Sequence, residues 1–265
     1  MSGGGRAVRH HGGSPVWRDV RAVVFDTDGV ITDSARVHAA AWKAAFDACL
    51  RDHVPADSRL RRPFDIRDDY LRYVDGKSRL DGAASFLDSR GLTLPPGHPD
   101  DRPGTGTVAA VAAYKERIFM ERLREGGIEA YPGTVRLLEA LRERGVPLAA
   151  ASASRHAPEL LARAGVLPLF DALVDGAEAA RLHLPGKPDP ALFLEATRRL
   201  GVPAGQAAVV EDALAGVEAG GRGGFRLVVG VDRTAGPDTG AALLRHGADI
   251  VVRDLSELLT EDVKE

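Results

Sequence analysis

Residues 21–34 read Arg21-Ala22-Val23-Val24-Phe25-Asp26-Thr27-Asp28-Gly29-Val30-Ile31-Thr32-Asp33-Ser34. The run from Ala22 to Phe25 is short, aliphatic and aromatic, the composition of a strand buried on both faces. Runs of the same kind return at 146–151, 207–210, 227–229 and 250–252. Between them, 134–144, 158–164, 190–200 and 241–246 carry apolar residues at helical spacing. Arg144-Gly145, Ala164-Gly165 and Leu200-Gly201 put a glycine where a helix commonly ends before the next strand. Strand alternating with helix predicts an α/β fold with a doubly wound, parallel, Rossmann-like sheet.

The alternation breaks between the first strand and Tyr131, where the pattern is helical and no buried strand is evident. An inserted helical cap domain is therefore expected, with helices over 34–50, 79–90 and 108–125. The polar segment 93–107, rich in proline and glycine, is expected to be an exposed loop. The resulting division is a disordered tail over 1–17, a catalytic core from 18–33 and 129–265, and a cap over 34–128. His10 and His11 belong to the tail, and 257–265 reads as a charged end without chemistry.

Composition removes several classes of function. The chain has 265 residues, 44% of them hydrophobic, and a formal net charge of −3 from 35 Lys and Arg against 38 Asp and Glu. No basic field is available to hold nucleic acid. Cys49 is the single cysteine, so no internal disulfide or cysteine-cluster metal site forms and a reducing cytoplasm is expected. No apolar run approaches the roughly 18 residues that a membrane helix requires. A small-molecule ligand is the expected partner, with the protein a monomer or weak dimer.

Asp26 and Asp28 stand where the first strand leaves the sheet, and ligands of open α/β sheets bind at that carboxyl edge. Two acids so placed can divide labour, one ionised as nucleophile or metal ligand and the other protonated for acid–base work. Gly29 permits the sharp turn that follows. The same Asp-x-Asp also describes a helix cap beside a surface charge. Three further strand or loop ends bear on the choice. Ser152-Ala153-Ser154-Arg155 offers hydroxyls and backbone amides ahead of a helix, suited to a phosphate oxygen or to simple capping. Gly186-Lys187-Pro188-Asp189-Pro190 sets a lysine in a rigid loop, where its ammonium can offset phosphoryl charge. Glu211-Asp212 can complete an oxygen cage for Mg²⁺, or serve as a helix N-terminal acidic turn.

The order Asp-x-Asp, Ser, Lys, Glu-Asp resembles the haloacid dehalogenase superfamily of phosphatases and phosphomutases, most closely its β-phosphoglucomutase branch, over roughly 22–233. Asp33-Ser34 with His38 and Trp42 resembles the branch's hinge helix, Tyr131-Pro132-Gly133 its re-entry into the core, and Gly76-Lys77-Ser78-Arg79 the cap segment that grips a second phosphate. The resemblance implies that Asp26 attacks phosphorus to form an aspartyl phosphate and that Asp28 serves as acid and base. It implies Mg²⁺ on Asp26, the Asp28 carbonyl, Asp212 and Glu211, directly or through water. Ser152 and Lys187 would bind the transferring phosphoryl group. His38 and Lys115 would couple closure to Asp28, while Ser78, Arg79, Trp42, Ser154 and Arg155 would contact the substrate.

Departures from the branch are Thr27 between the two acids, Arg155 in place of lysine and Glu116 in place of asparagine after Lys115. A small phosphorylated sugar is the implied substrate, most closely β-glucose 1-phosphate going to glucose 6-phosphate, with a sugar bisphosphate as activator if the enzyme is a mutase. A sugar-phosphate phosphatase is the alternative; a non-catalytic sensor on the same fold is disfavoured because every catalytic side-chain type is retained.

Overall fold

A computed structural model of the chain describes residues 15–234 and 238–259, so His10, His11 and all but the last three residues of the expected disordered tail lie outside the described residues, as does the end of the charged tail. Pro15–Trp17 form a 3-10 turn, and Trp17 is buried in the core with its indole N–H donating to the Leu258 carbonyl. Among the described residues six strands form one sheet. They are β1 (Ala22–Asp26), β2 (Leu148–Ala151), β3 (Ala172–Val174), β4 (Ala207–Glu211), β5 (Leu227–Val231) and β6 (Ile250–Val252). Every pairing is parallel, in the spatial order β3-β2-β1-β4-β5-β6. The chain builds outward from β1 in one direction, then returns to its other side with β4. That reversal opens a crevice at the carboxyl ends of β1 and β4, where open α/β sheets bind ligands.

Helices fill the connections. The segment between β1 and β2 holds α1 (Ala35–Asp52), α2 (Arg79–Ser89), α3 (Val108–Gly126) and α4 (Pro132–Glu143). Then come α5 (Ala157–Arg163), α6 (Gly176–Arg181), α7 (Ala191–Leu200), α8 (Leu214–Arg222) and α9 (Thr239–His246). Alternate strand residues enter different cores, as the two-residue side-chain period requires. Val23 and Phe25 pack with Leu137 and Leu141 of α4, together with Ala150 and Val210. Val24 packs with Leu192 and Phe193 of α7, together with Ala149, Ala151 and Val209. Both faces of β1 are buried, which is why its sequence is a continuous apolar run rather than an alternation.

The inserted helices have a separate aromatic core in which Phe46 lies 4.1 Å from Phe86 and 5.1 Å from Phe64, centroid to centroid. Beside it the buried Asp69 accepts from Arg62 at 2.6 Å and from Arg90 at 2.5 Å. The expected segment 93–107 has neither helix nor strand, but it is tied down: Thr105 donates to Asp52 at 2.8 Å and Thr107 to Asp101 at 2.6 Å. The elements not foreseen include β3, α6, α8 and a π-helical turn. β3 has three residues, two of them only partly buried, so its apolar run is too short to register. α8 contains Gly216, Gly220 and Gly221, which depress helix propensity and are tolerated because the helix packs tightly on β4 and β5. The π-helical turn Tyr70–Val74 has no periodic signature. No helix among the described residues is long and apolar enough to cross a membrane.

Candidate active site

The sheet register brings the acids together. Asp26 is opposite Ala151 of β2, and Phe25 opposite Val210 of β4, so Glu211 comes beside Asp26 at a strand spacing of about 4.8 Å. Asp26 shares its face with Val24 and Glu211 shares its face with Val209, the face covered by α7. Lys187, from the loop before α7, enters between them: its Nζ is 2.5 Å from Asp26 Oδ1 and 2.5 Å from Glu211 Oε1. Burial opposes the ammonium charge, but Asp26 and Glu211 more than offset it and hold Lys187 protonated well above its ordinary range. Glu211 Oε2 also accepts from the Ala213 amide at 2.7 Å, and Gly216 gives the side chain room, since a Cβ there would overlap it.

Burial pushes the Asp26 carboxyl well up, with Glu211 and Asp28 adding to the effect and Lys187 opposing it. Asp212 is raised by burial and by Asp75, Glu211 and Asp26. Its carboxylate lies directly against Gly29, which has φ +84° and no space for a Cβ. One oxygen each from Asp26, Glu211 and Asp212 lies within 4.8 Å of the others. Hard oxygen donors converging on one point, with a single ammonium among them, suit a divalent cation of the Mg²⁺ type.

Asp28 is turned away from that trio. Its amide donates to Asp26 Oδ2 at 2.9 Å, while its carboxylate accepts from Ser34 at the start of α1. His38 Nε2 lies 3.3 Å from Asp28 Oδ1, and Ser152 Oγ 3.4 Å from Oδ2. On the other side of the ring, Lys115 Nζ donates to His38 Nδ1 at 2.8 Å, so the Nε2 proton faces Asp28. The ring is stacked on Phe119 at 4.0 Å. Burial would raise the Asp28 carboxyl, but His38, Ser34 and Lys115 hold it well below the usual range. The neighbours of Asp28 thus favour its ionised form, whereas burial and the adjacent acids disfavour charge on Asp26.

A cavity of about 450 Å³ joins these groups to the cap. Arg79, the first residue of α2, is half-buried on its wall, and Arg155 faces the same space from the core. Neither guanidinium has an ion-pair partner among the described residues. Ser154 also borders the cavity, its hydroxyl accepting from the His156 amide at 3.2 Å. Ser78 borders it too, but its hydroxyl caps α2, accepting from the Asp81 amide at 3.2 Å and donating to the Asp81 carboxylate at 2.7 Å. Trp42 presents an edge to the cavity and is otherwise packing, stacked on Phe46 at 4.7 Å with Lys115 Nζ 5.5 Å over its ring. Ser152 does not border the cavity and meets it only through Asp28.

Sequence reasoning missed four neighbours of this cavity. Asp75 and Tyr70 descend from the cap; burial and Glu211 raise the Asp75 carboxyl to about 7. The signal for Asp75 was its position directly before Gly76-Lys77-Ser78-Arg79. Pro99 brings the 93–107 loop to the rim, which no local pattern predicts. Glu116, noted only as a departure, is hydrogen-bonded across the cap–core boundary to His156 Nε2.

A family model described as haloacid dehalogenase-like hydrolase matches residues 20–224. The chain is 45% identical over 240 residues to a β-phosphoglucomutase of Mycobacterium bovis, covering 91% of this chain and 92% of that one. It is 32% identical over 250 residues to a β-phosphoglucomutase of Bacillus subtilis, covering 91% and 93%. Among solved structures, a β-phosphoglucomutase from Clostridium difficile superposes with a TM-score of 0.66 at 23% identity, covering 90% of this chain and 93% of that one; at that identity the likeness is one of fold.

Proposed function

Because the chain belongs to the haloacid dehalogenase-like hydrolase family, we propose that this phosphomutase- or phosphatase-type enzyme converts β-glucose 1-phosphate to glucose 6-phosphate through an aspartyl phosphate on Asp26. The observation that carries the reading is a single cavity lined both by Lys187 and by two arginines, Arg79 and Arg155, which we read as two anion positions. Lys187 serves one beside Asp26, and Arg79 with Arg155 serves the other. A sugar bisphosphate intermediate needs both, and must be able to lie in either orientation. The two mycobacterial and bacillar relatives, named as β-phosphoglucomutases, support the same substrate class.

In this reading a sugar bisphosphate first phosphorylates Asp26. The monophosphate then binds with its existing phosphate at Arg79 and Arg155 and its free hydroxyl toward the aspartyl phosphate. Asp28, held ionised by His38 and Ser34, takes the hydroxyl proton as the sugar oxygen bonds to phosphorus and the bond to Asp26 breaks. After the bisphosphate turns around, Asp26 attacks the other phosphorus and Asp28 returns its proton to the departing sugar oxygen. Lys187 complements charge on the phosphoryl oxygens, while Ser152 meets the site through Asp28. Mg²⁺, for which Asp26, Asp212, Glu211 and the Asp28 carbonyl offer oxygens, supplies further neutralisation of that charge when bound. A cytoplasmic enzyme accords with the lone, buried Cys49.

The experiment is incubation with Mg²⁺, β-glucose 1-phosphate and a trace of β-glucose 1,6-bisphosphate, with glucose 6-phosphate and free phosphate measured separately. Glucose 6-phosphate should accumulate in excess of phosphate. Phosphate release without isomerisation would instead establish a sugar monophosphatase, a reading favoured by one observation, the Glu116 carboxylate beside the second anion position. Asp26→Asn should abolish either activity, and full turnover in that variant would refute covalent catalysis.

A further inference from the structure

Glu116 is the feature that the proposed chemistry leaves unexplained. It lies on α3 next to Lys115, with its carboxylate 3.7 Å from Lys115 Nζ. Its other oxygen is bonded to His156 Nε2, on the core loop ahead of α5. The contact therefore joins cap to core at the mouth of the cavity. His156 is in turn seated by its amide on Ser154 and by its ring 6.1 Å from Phe119 of α3. Arg79 is within electrostatic reach of both Glu116 and Arg155. Burial works against the Glu116 charge, but His156, Lys115 and Arg79 hold its carboxyl down at about 2.

An anion thus stands on the wall of the cavity that two guanidiniums also line, both without an ion-pair partner among the described residues and one of them, Arg79, within its electrostatic reach. We propose that Glu116 and His156 form a clasp between cap and core, and that Glu116 is the specificity-determining residue of the second anion position, competing there with the phosphate of the ligand. The clasp holds the cap against the core when no phosphate bridges Arg79 and Arg155. A second phosphate must displace or outweigh the Glu116 charge before it can take both arginines. The cavity is thereby made selective against weakly held dianions, and the non-reacting phosphate binds less tightly than the two arginines alone would allow. The clasp itself follows from the contacts; the identity of the competing ligand rests on the sugar-phosphate reading above.

Two measurements test it on the full chain. The first uses no ligand and compares amide hydrogen exchange in α3 and α5 between wild type and His156→Ala. Exchange about tenfold faster in both segments is expected, because the variant lacks the cross-boundary bond; unchanged exchange would overturn the clasp. The second measures binding of glucose 1,6-bisphosphate and of inorganic phosphate by calorimetry with Mg²⁺, in an Asp26→Asn background that stops turnover, with and without Glu116→Gln. Removal of one charge near a dianion should tighten the bisphosphate about tenfold, while inorganic phosphate, held at the Lys187 end, changes less than about twofold. Equal tightening of both probes, or of neither, would refute the competition. If bisphosphate binds neither protein, the sugar-bisphosphate reading and the competition fail together, and the exchange measurement still decides the clasp.

Discussion

Lys187→Met removes one charge and little volume from the middle of the site. Lys187 is only 5% exposed and its ammonium is 2.5 Å from each of two carboxylates, those of Asp26 and Glu211, which are 6% and 0% exposed. Without it the two acids face each other across about 4.8 Å of strand spacing with no protein cation between them. Breaking a buried pair by deleting one partner costs about 3–5 kcal/mol. The lower end applies here, because Asp26 is already pushed toward its protonated form by burial and a shared proton relieves part of the repulsion. With an unfolding entropy of about 2.1 cal/mol/K per residue over 265 residues, 3 kcal/mol lowers the melting temperature by roughly 5 °C. The assay is thermal unfolding by circular dichroism in chelator and in Mg²⁺, beside initial rates on β-glucose 1-phosphate. A divalent cation should raise the melting temperature of the variant more than that of wild type, since it meets two carboxylates without a competing ammonium. Turnover should fall by roughly 10²–10³, the usual loss on removing one preorganised charge-stabilising group. A variant that melts within about 1 °C of wild type in chelator and keeps its turnover would refute the claim that Lys187 holds these two acids together.

Asp69→Asn should destabilise the cap by about 3 kcal/mol, because it leaves the buried Arg90 guanidinium without its counter-ion; thermal unfolding of the variant checks this. Burial opposes the Asp69 charge, but the Asp65 amide, Arg62 and Arg90 depress its carboxyl below the usual range. A depressed folded value stabilises above the unfolded value of about 3.9 and is lost as pH falls through the folded one, so melting temperature should drop more steeply below pH 4 in wild type than in Asp69→Asn. Burial and Asp52 raise the Cys49 thiol to about 11, so at pH 8 about one thiol in 10³ is ionised. Alkylation of the native chain by iodoacetamide should be at least about 100-fold slower than that of the urea-unfolded chain, as mass spectrometry can follow. The Thr27 hydroxyl is buried without a hydrogen-bond partner among the described residues. Thr27→Val, of the same shape, should therefore stabilise by about 1 kcal/mol; a lower denaturant midpoint would refute that reading.

The parts of this protein that were legible in its sequence are those whose signal is local. β1 announced itself because burial on both faces leaves a run such as Ala22-Val23-Val24-Phe25 no polar position. Predicted ends of α1, α2 and α3 fell within about two residues of the observed ones because apolar spacing and the caps Ser78 and Thr107 are local chemistry. β3 and α8 stayed hidden, the first too short to show a period and the second held together by packing that outweighs its glycines. Within the site, the acids, Lys187 and Ser152 were found from their places at strand and loop ends, since a parallel sheet delivers all such ends to one edge. Asp75, Pro99 and the Glu116–His156 contact were not, because each reaches the cavity from a segment far away in the chain.

Sequence alone determined which candidate groups stand at strand and loop ends and the edge of the sheet where they gather, because side-chain period and strand polarity are properties of the chain read in order. Only the tertiary structure decided how charge is shared among them. Register set Asp26 beside Glu211 and drew Lys187 between them; the ring of His38, fixed by Lys115, kept Asp28 ionised; and the cap closed Glu116 onto His156 beside two arginines. Electrostatic energy depends on distance and burial, and neither is written in the spacing of residues along a chain.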